Sequence, residues 1–147
     1  MGCYCGKLSD HTLTNTPTFI PDIKVGYVMK VYDGDTITIA TPISHGITKK
    51  VCKFSVRIKG IDCPEMRTKN VDEKFVALKA KEYLSSLIFN KTVHLDEIGF
   101  DKYGRILAEV YIGNVNISER MISERLAIEY FGKTKVSPEN WRKYYEG

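Results

Sequence analysis

The chain contains neither a Cys-x-x-Cys nor a His-x-x-x-His, and it has only four cysteines and three histidines in 147 residues. A structural zinc site is thereby excluded, because its ligands come in closely spaced pairs. Cys3 and Cys5 stand too close together for a useful bridge, and Cys52 and Cys63 flank one strand. All four therefore read as reduced thiols, which points to an intracellular protein. No apolar run reaches the ~20 residues that a membrane-spanning helix needs. The N-terminus lacks the hydrophobic core of a secretion signal, a second reason to expect an intracellular chain, cytoplasmic unless tethered. Internal repeats are absent, so a solenoid is not expected.

What is there is ordinary in bulk. A composition 43% hydrophobic and 27% charged suits one globular domain with a core of its own. The net charge of +4 and pI of 8.8 tolerate a polyanionic partner, but charge of that size also serves solubility.

Residues 1–23 read as a flexible tail and residues 24–147 as the folded domain. Gly2 follows the initiator methionine with Cys3 and Cys5 beside it, the layout for N-myristoylation of Gly2 and palmitoylation of the two thiols, although Gly6 stands where Ser or Thr is usual. A second acyl chain would convert marginal membrane contact into stable anchoring at the cytoplasmic face. Chance placement of a glycine and two thiols is the competing reading.

From Val25 the pattern becomes period two, the signature of strands with one buried face. Val25, Tyr27, Met29 and Val31 alternate with their neighbours, Asp33-Gly34 supplies a hairpin turn, and 36–40 returns. Residues 41–50, with Pro42 and Gly46, read as a loop. Phe54, Val56 and Ile58 form the inner face of a third strand, Val93 and Leu95 of a fourth, and Ile106, Ala108, Val110 and Ile112 of a fifth. A helix is expected over 72–89 from the spacing of Val76, Ala80, Tyr83, Leu84 and Leu87. Asn116 with Glu119 predicts a capping box, and Ser137-Pro138 predicts the start of a last short helix. Five short strands with about three helices make an α+β, mainly β chain whose expected architecture is a small Greek-key barrel of the oligonucleotide/oligosaccharide-binding (OB) type.

Three segments carry chemistry. In Val56 to Glu65 the alternation turns Arg57 away from the buried face, while Gly60 and Pro64 place Asp62 and Glu65 on a loop past the strand end. Asp33-Gly34-Asp35-Thr36 precedes it. A turn needs Asp33-Gly34 but not Asp35, which is the better ligand candidate. Asp101-Lys102-Tyr103-Gly104-Arg105 follows. Each alone could be a solvated turn; together they offer carboxylates and two arginines, the inventory for holding a hard cation against a phosphate.

These three motifs, in this order, resemble those of the staphylococcal nuclease (thermonuclease) family over roughly residues 25–131. The resemblance implies that Asp35 and Asp62, with the backbone carbonyl of Cys63, bind Ca2+. It implies that Arg57 and Arg105 hold the phosphate and that Glu65 is the general base. Lys102 and Tyr103 would contact substrate, and Tyr130 or Phe131 would stand beside a base. Family members usually have Thr where Cys63 stands, a change that a backbone ligand survives. The expected activity is calcium-dependent hydrolysis of DNA or RNA by a monomer. A membrane-tethered barrel that binds nucleic acid or protein without cutting is the alternative, although non-catalytic relatives usually lack acids that are present here.

Overall fold

The computed structural model describes residues 6–147; Gly2, Cys3 and Cys5 lie outside the described residues. β1 (Val25–Val31) and β2 (Thr36–His45) pair antiparallel, as do β2 and β3 (Thr48–Ile58). β5 (Thr92–Phe100) pairs with β1 on one side and with β6 (Ile106–Ile112) on the other. A parallel pairing of β3 with β6, through Val56 and Ile106, closes these five strands into a barrel. The expected OB-type architecture is therefore present. Outside the closed sheet, β4 (Gly60–Asp62) pairs with β8 (Ile128–Tyr130), and β7 (Val115–Asn116) continues from β6.

In β1 the expected face is corrected, because Tyr27 and Met29 are exposed while Val28 is buried, and a register shift between Val28 and Lys30 returns Val31 to the core; in the other strands the alternating residues meet in the barrel interior. Val28, Ile37, Ile39, Val56, Ile58, Val93, Ala108 and Val110 are wholly buried. Each such aliphatic side chain larger than alanine contributes roughly 1.5–3 kcal/mol on burial. Ile23 joins this core.

The helix α1 (Val71–Ile88) starts at Asn70, whose side chain accepts the Glu73 N–H, and its stripe of Val76, Ala80, Leu84 and Ile88 packs into the same core. In α2 (Ile117–Ser123) Asn116 accepts from the N–H groups of Ser118 and Glu119. Leu126 is buried too, beyond the end of this helix and after Arg125 at φ 56°.

Two further expectations are corrected. The last helix, α3 (Trp141–Glu146), starts from Asn140 rather than Ser137-Pro138, because the Asn140 carboxamide caps the Lys143 N–H. Its Trp141, Tyr144 and Tyr145 pack on the core. Residues 41–50 are not a loop: β2 and β3 run on as a two-stranded arm that turns only at Gly46-Ile47. Pro42 is tolerated because β1 pairs with β2 no further than Ala40, so beyond it β3 is the neighbour. Among the described residues no helix is long and apolar enough to cross a membrane.

Candidate functional site

The chain crosses from β1 to β2 at Asp33-Gly34, and the glycine is there for room. A Cβ on Gly34 would sit 2.8 Å from both Ala80 Cβ of α1 and Cys63 Sγ. Gly34 also has no positive φ. The dipeptide that reads as hairpin chemistry therefore serves a close approach, which draws the start of β2 against the loop after β4.

Asp35 is buried as a result. Its Oδ2 accepts the backbone N–H of Cys63 at 3.1 Å, and its Oδ1 accepts the Thr36 hydroxyl at 3.0 Å. Across β3, Thr36 is in register with Arg57. The Arg57 guanidinium joins the first two motifs: Nη2 lies 3.2 Å from Asp35 Oδ2 and 3.3 Å from Asp62 Oδ1, and Nη1 donates to the Ile58 carbonyl at 2.9 Å. All three charged side chains are nearly enclosed.

Burial dominates the acidity of Asp35. It pushes the carboxyl up to about 6, with Asp33 adding to the rise and Arg57 and the hydrogen bonds from Cys63 and Thr36 opposing it. Burial likewise drives the Cys63 thiol well above its ordinary value, so its sulfur stays a neutral packing group. Cys52 and Cys63 are free thiols.

The third motif builds the opposite wall. Asp101 folds its own turn, accepting the Tyr103 N–H at 2.8 Å and the Arg105 N–H at 2.9 Å on Oδ1, and Arg105 Nε at 2.5 Å on Oδ2. Burial works to raise its carboxyl, but these bonds outweigh it and hold Asp101 below the usual carboxylate range. Arg105 Nη1 reaches the Thr36 hydroxyl at 3.4 Å, and its guanidinium carbon stands 5.5 Å from the Tyr103 ring centroid. Lys102 also lies over that ring, at 5.0 Å.

One cleft of about 660 Å³ gathers every one of these groups. Asp35, Arg57, Asp62, Cys63, Glu65, Lys102, Tyr103, Arg105, Tyr130 and Phe131 all line it. Glu65 is 67% exposed at its mouth, anchored through its N–H to Glu73 Oε1 at 3.1 Å. Tyr103 and Phe131 are exposed at the rim, 72% and 73%, as flat apolar surfaces open to a planar ligand.

Lys135 is the cleft residue that the sequence does not flag. Its Nζ forms an ion pair with Asp62 Oδ2 at 2.6 Å and lies 3.9 Å from Glu65 Oε1. Asp62 Oδ2 is buried, and this ion pair is the contact it makes. Burial would lower the Lys135 ammonium, but Asp62, Glu65 and Glu73 together hold it above its ordinary value. Nothing in the aperiodic stretch around Lys135 marks it. Thr36 and Asp101, by contrast, stand within motifs already singled out.

The donor set suits a hard cation that accepts mixed oxygen ligands. Asp35 and Asp62 converge on one nitrogen, and Asp62 Oδ2 is a buried carboxylate oxygen with no hydrogen-bond donor. No cluster of three or more His, Cys, Asp or Glu side chains poised for a metal exists among the described residues. A metal here would complete its shell from backbone carbonyl, water or ligand oxygens, which calcium permits and tetrahedral zinc does not.

Comparison with known proteins gives the chain its family. The model of the staphylococcal nuclease homologue family matches residues 55–146, a span that contains Arg57, Asp62, Glu65 and Arg105 and leaves Asp35 outside. The chain is 32% identical over 132 residues to a probable endonuclease of Schizosaccharomyces pombe, covering 76% of this chain and 57% of that protein. It is 35% identical over 103 residues to an uncharacterized endonuclease of Haemophilus influenzae, covering 70% and 51%. To a thermonuclease of Staphylococcus hyicus it is 31% identical over 121 residues, covering 81% and 63%. The chain thus spans between about half and under two thirds of these relatives' own lengths. By the extent of the family match and the order of its motifs, the chain belongs to the staphylococcal nuclease homologue family.

Proposed function

We propose that this chain is a calcium-dependent nuclease that hydrolyses phosphodiester bonds in DNA or RNA. The observation that carries the reading is the convergence of Asp35, Asp62, Arg57, Arg105 and Glu65 on one cleft. The names of the relatives, endonuclease and thermonuclease, support it.

In this reading Asp35, Asp62 and the Cys63 carbonyl hold calcium, which when bound supplies positive charge beside the reacting phosphate. The remaining work falls to side chains. Arg57 has five N–H groups, of which two are hydrogen-bonded to Asp62 and the Ile58 carbonyl while Nη2 also pairs ionically with Asp35, so further N–H groups remain for a phosphate. Arg105 is held by Asp101 through Nε, so its Nη2 is free to meet a second phosphate oxygen. Charge stabilisation of this preorganised kind is usually the largest contribution to rate. Glu65, open to solvent at the cleft mouth, takes the proton of the attacking water. Tyr103 and either Tyr130 or Phe131 flank the sugar and base, and Lys102 adds charge at the rim.

The test is purified protein with end-labelled single-stranded DNA, in calcium and in chelator, beside Glu65→Gln. Calcium-dependent conversion to short products, slowed ~10²–10⁴-fold by the substitution, is expected. Binding without cleavage under all conditions would replace the enzyme with a binding module. Acylation of Gly2, Cys3 and Cys5 would put this activity at the cytoplasmic face of a membrane, and incorporation of labelled myristate and palmitate in cells tests that separately.

A further inference from the structure

We propose that the outward face of the β2–β3 arm is a track for the phosphate backbone of the nucleic-acid chain, leading away from Arg57 past Lys53 to Lys49. The proposal rests on the nuclease reading, and it assigns a partner to a surface outside the cleft.

Strand alternation sets the face. In β3, Val56 and Ile58 point into the core, so Arg57, Ser55, Lys53, Val51 and Lys49 share the opposite side. Arg57 opens this row inside the cleft, and Lys53, Val51 and Lys49 continue it in solvent. Directly across on β2 stand Thr36, Thr38, Ala40, Pro42 and Ser44, small uncharged residues that leave the long lysine side chains unobstructed. Neither strand contains an acidic residue. Among the described residues no carboxylate lies within ion-pair distance of Lys49 or Lys53. Arg57 is itself paired with Asp35 and Asp62, and beyond it the arm carries uncompensated positive charge at Lys53 and Lys49.

The spacing matches a polymer. At ~3.3 Å per residue, Lys53 lies ~13 Å and Lys49 ~26 Å along the strand from Arg57. A stacked strand advances ~3.4 Å per nucleotide, so the two ammonium groups fall about four and about eight nucleotides from the scissile bond. A mononucleotide is too short for that interval, whereas a chain with a charge on every unit spans it.

The experiment compares Glu65→Gln protein with the same protein carrying Lys49→Gln and Lys53→Gln, using labelled oligothymidylates of four and twelve nucleotides over a salt series in calcium. The double substitution should weaken twelve-nucleotide binding by roughly five- to tenfold and lower the salt slope by ~1.4, about 0.7 for each phosphate that is no longer neutralised. Four-nucleotide binding should not change. Equal affinity of parent and variant for the longer strand overturns the track, as does a drop of equal size on both lengths. Vesicles of phosphatidylserine form a separate arm: if the lysines mattered there and not on the long oligonucleotide, the surface would be a membrane contact and the proposal would fall. Cleavage by the unsubstituted protein is measured in parallel. If it cuts both lengths while the two lysines prove neutral, only the track fails; if it cuts neither, the nuclease reading fails. Unfolding midpoints should be the same for both proteins, since both lysines are exposed.

Discussion

The backbone N–H of Cys63 donates to Oδ2 of Asp35 at 3.1 Å across 28 residues of sequence. This bond fixes the end of β4 and the segment beyond it, which carry Asp62 and Glu65, to the start of β2, and both ends of it are buried. Two motifs that are separate in the chain therefore become one wall of the cleft. Whatever disturbs either end should be felt as a change in site geometry before it is felt as unfolding.

Gly34 sets the distance across that join. Gly34→Ala forces a methyl to within 2.8 Å of Ala80 and Cys63, a clash that costs about 1–3 kcal/mol when neighbours must shift. Thermal unfolding should show the destabilisation, and calcium binding should weaken with it. Cys63→Ala in the same chain removes one of the two clashing atoms and should recover part of the stability; no recovery would contradict the packing role.

Arg57→Lys keeps the charge and loses the fork. A lysine has three donors on one nitrogen and cannot serve Asp35, Asp62, the Ile58 carbonyl and a phosphate together. Turnover is expected to fall by roughly 10²–10³-fold, the range seen when a charge-stabilising donor is removed. Steady-state kinetics beside a circular-dichroism melt separates this from misfolding, and near-normal turnover would rule out the multidentate role.

The carboxyl of Asp35 predicts an unusual pH dependence. Its value in the folded protein is raised from 3.8 to about 6, so between those limits the folded state binds a proton that the unfolded chain has lost. Stability without calcium should accordingly decline as pH rises through that window. Asp101, held low, acts in the opposite sense and only at more acid pH. Urea titrations in chelator at pH 4, 5 and 6 should show the decline, and Asp35→Asn should flatten it; a rise in stability over this interval would be the contrary result.

Lys135 competes for the same oxygen that a cation would use. Its ammonium stands 2.6 Å from Asp62 Oδ2. Lys135→Met should strengthen calcium binding, by about three- to tenfold, or up to ~1.4 kcal/mol. Calorimetric titration with calcium alone reads this without any substrate. Weaker binding in the variant would mean that Lys135 helps to hold the loop in place instead.

Some of this architecture is legible residue by residue. Val56 and Ile58 alternating with Arg57 is a local pattern, and local patterns survive because side-chain direction in a strand follows from the backbone alone. The arm beyond Thr41 is not legible. Pro42 and Gly46 are breakers by composition, and only the absence of a second neighbour past Ala40 makes the proline harmless. The start of α3 misleads for a related reason: Ser137-Pro138 is a sound cap in isolation, but Asn140 is the residue whose side chain meets the free N–H of Lys143. Gly34 reads as a turn glycine, since nothing adjacent in sequence reveals that α1 and Cys63 press against it.

By itself the sequence determined the barrel class, the order of the three motifs and the residue types able to meet a phosphate, because periodicity and donor chemistry are properties of neighbours in the chain. Only the tertiary structure decided that burial pushes the Asp35 carboxyl up to about 6, that Arg57 is tied to Asp35, Asp62 and the Ile58 carbonyl, and that Lys135 reaches Asp62. Those facts depend on solvent exclusion and on contacts between distant segments, and neither exists until the chain has closed upon itself.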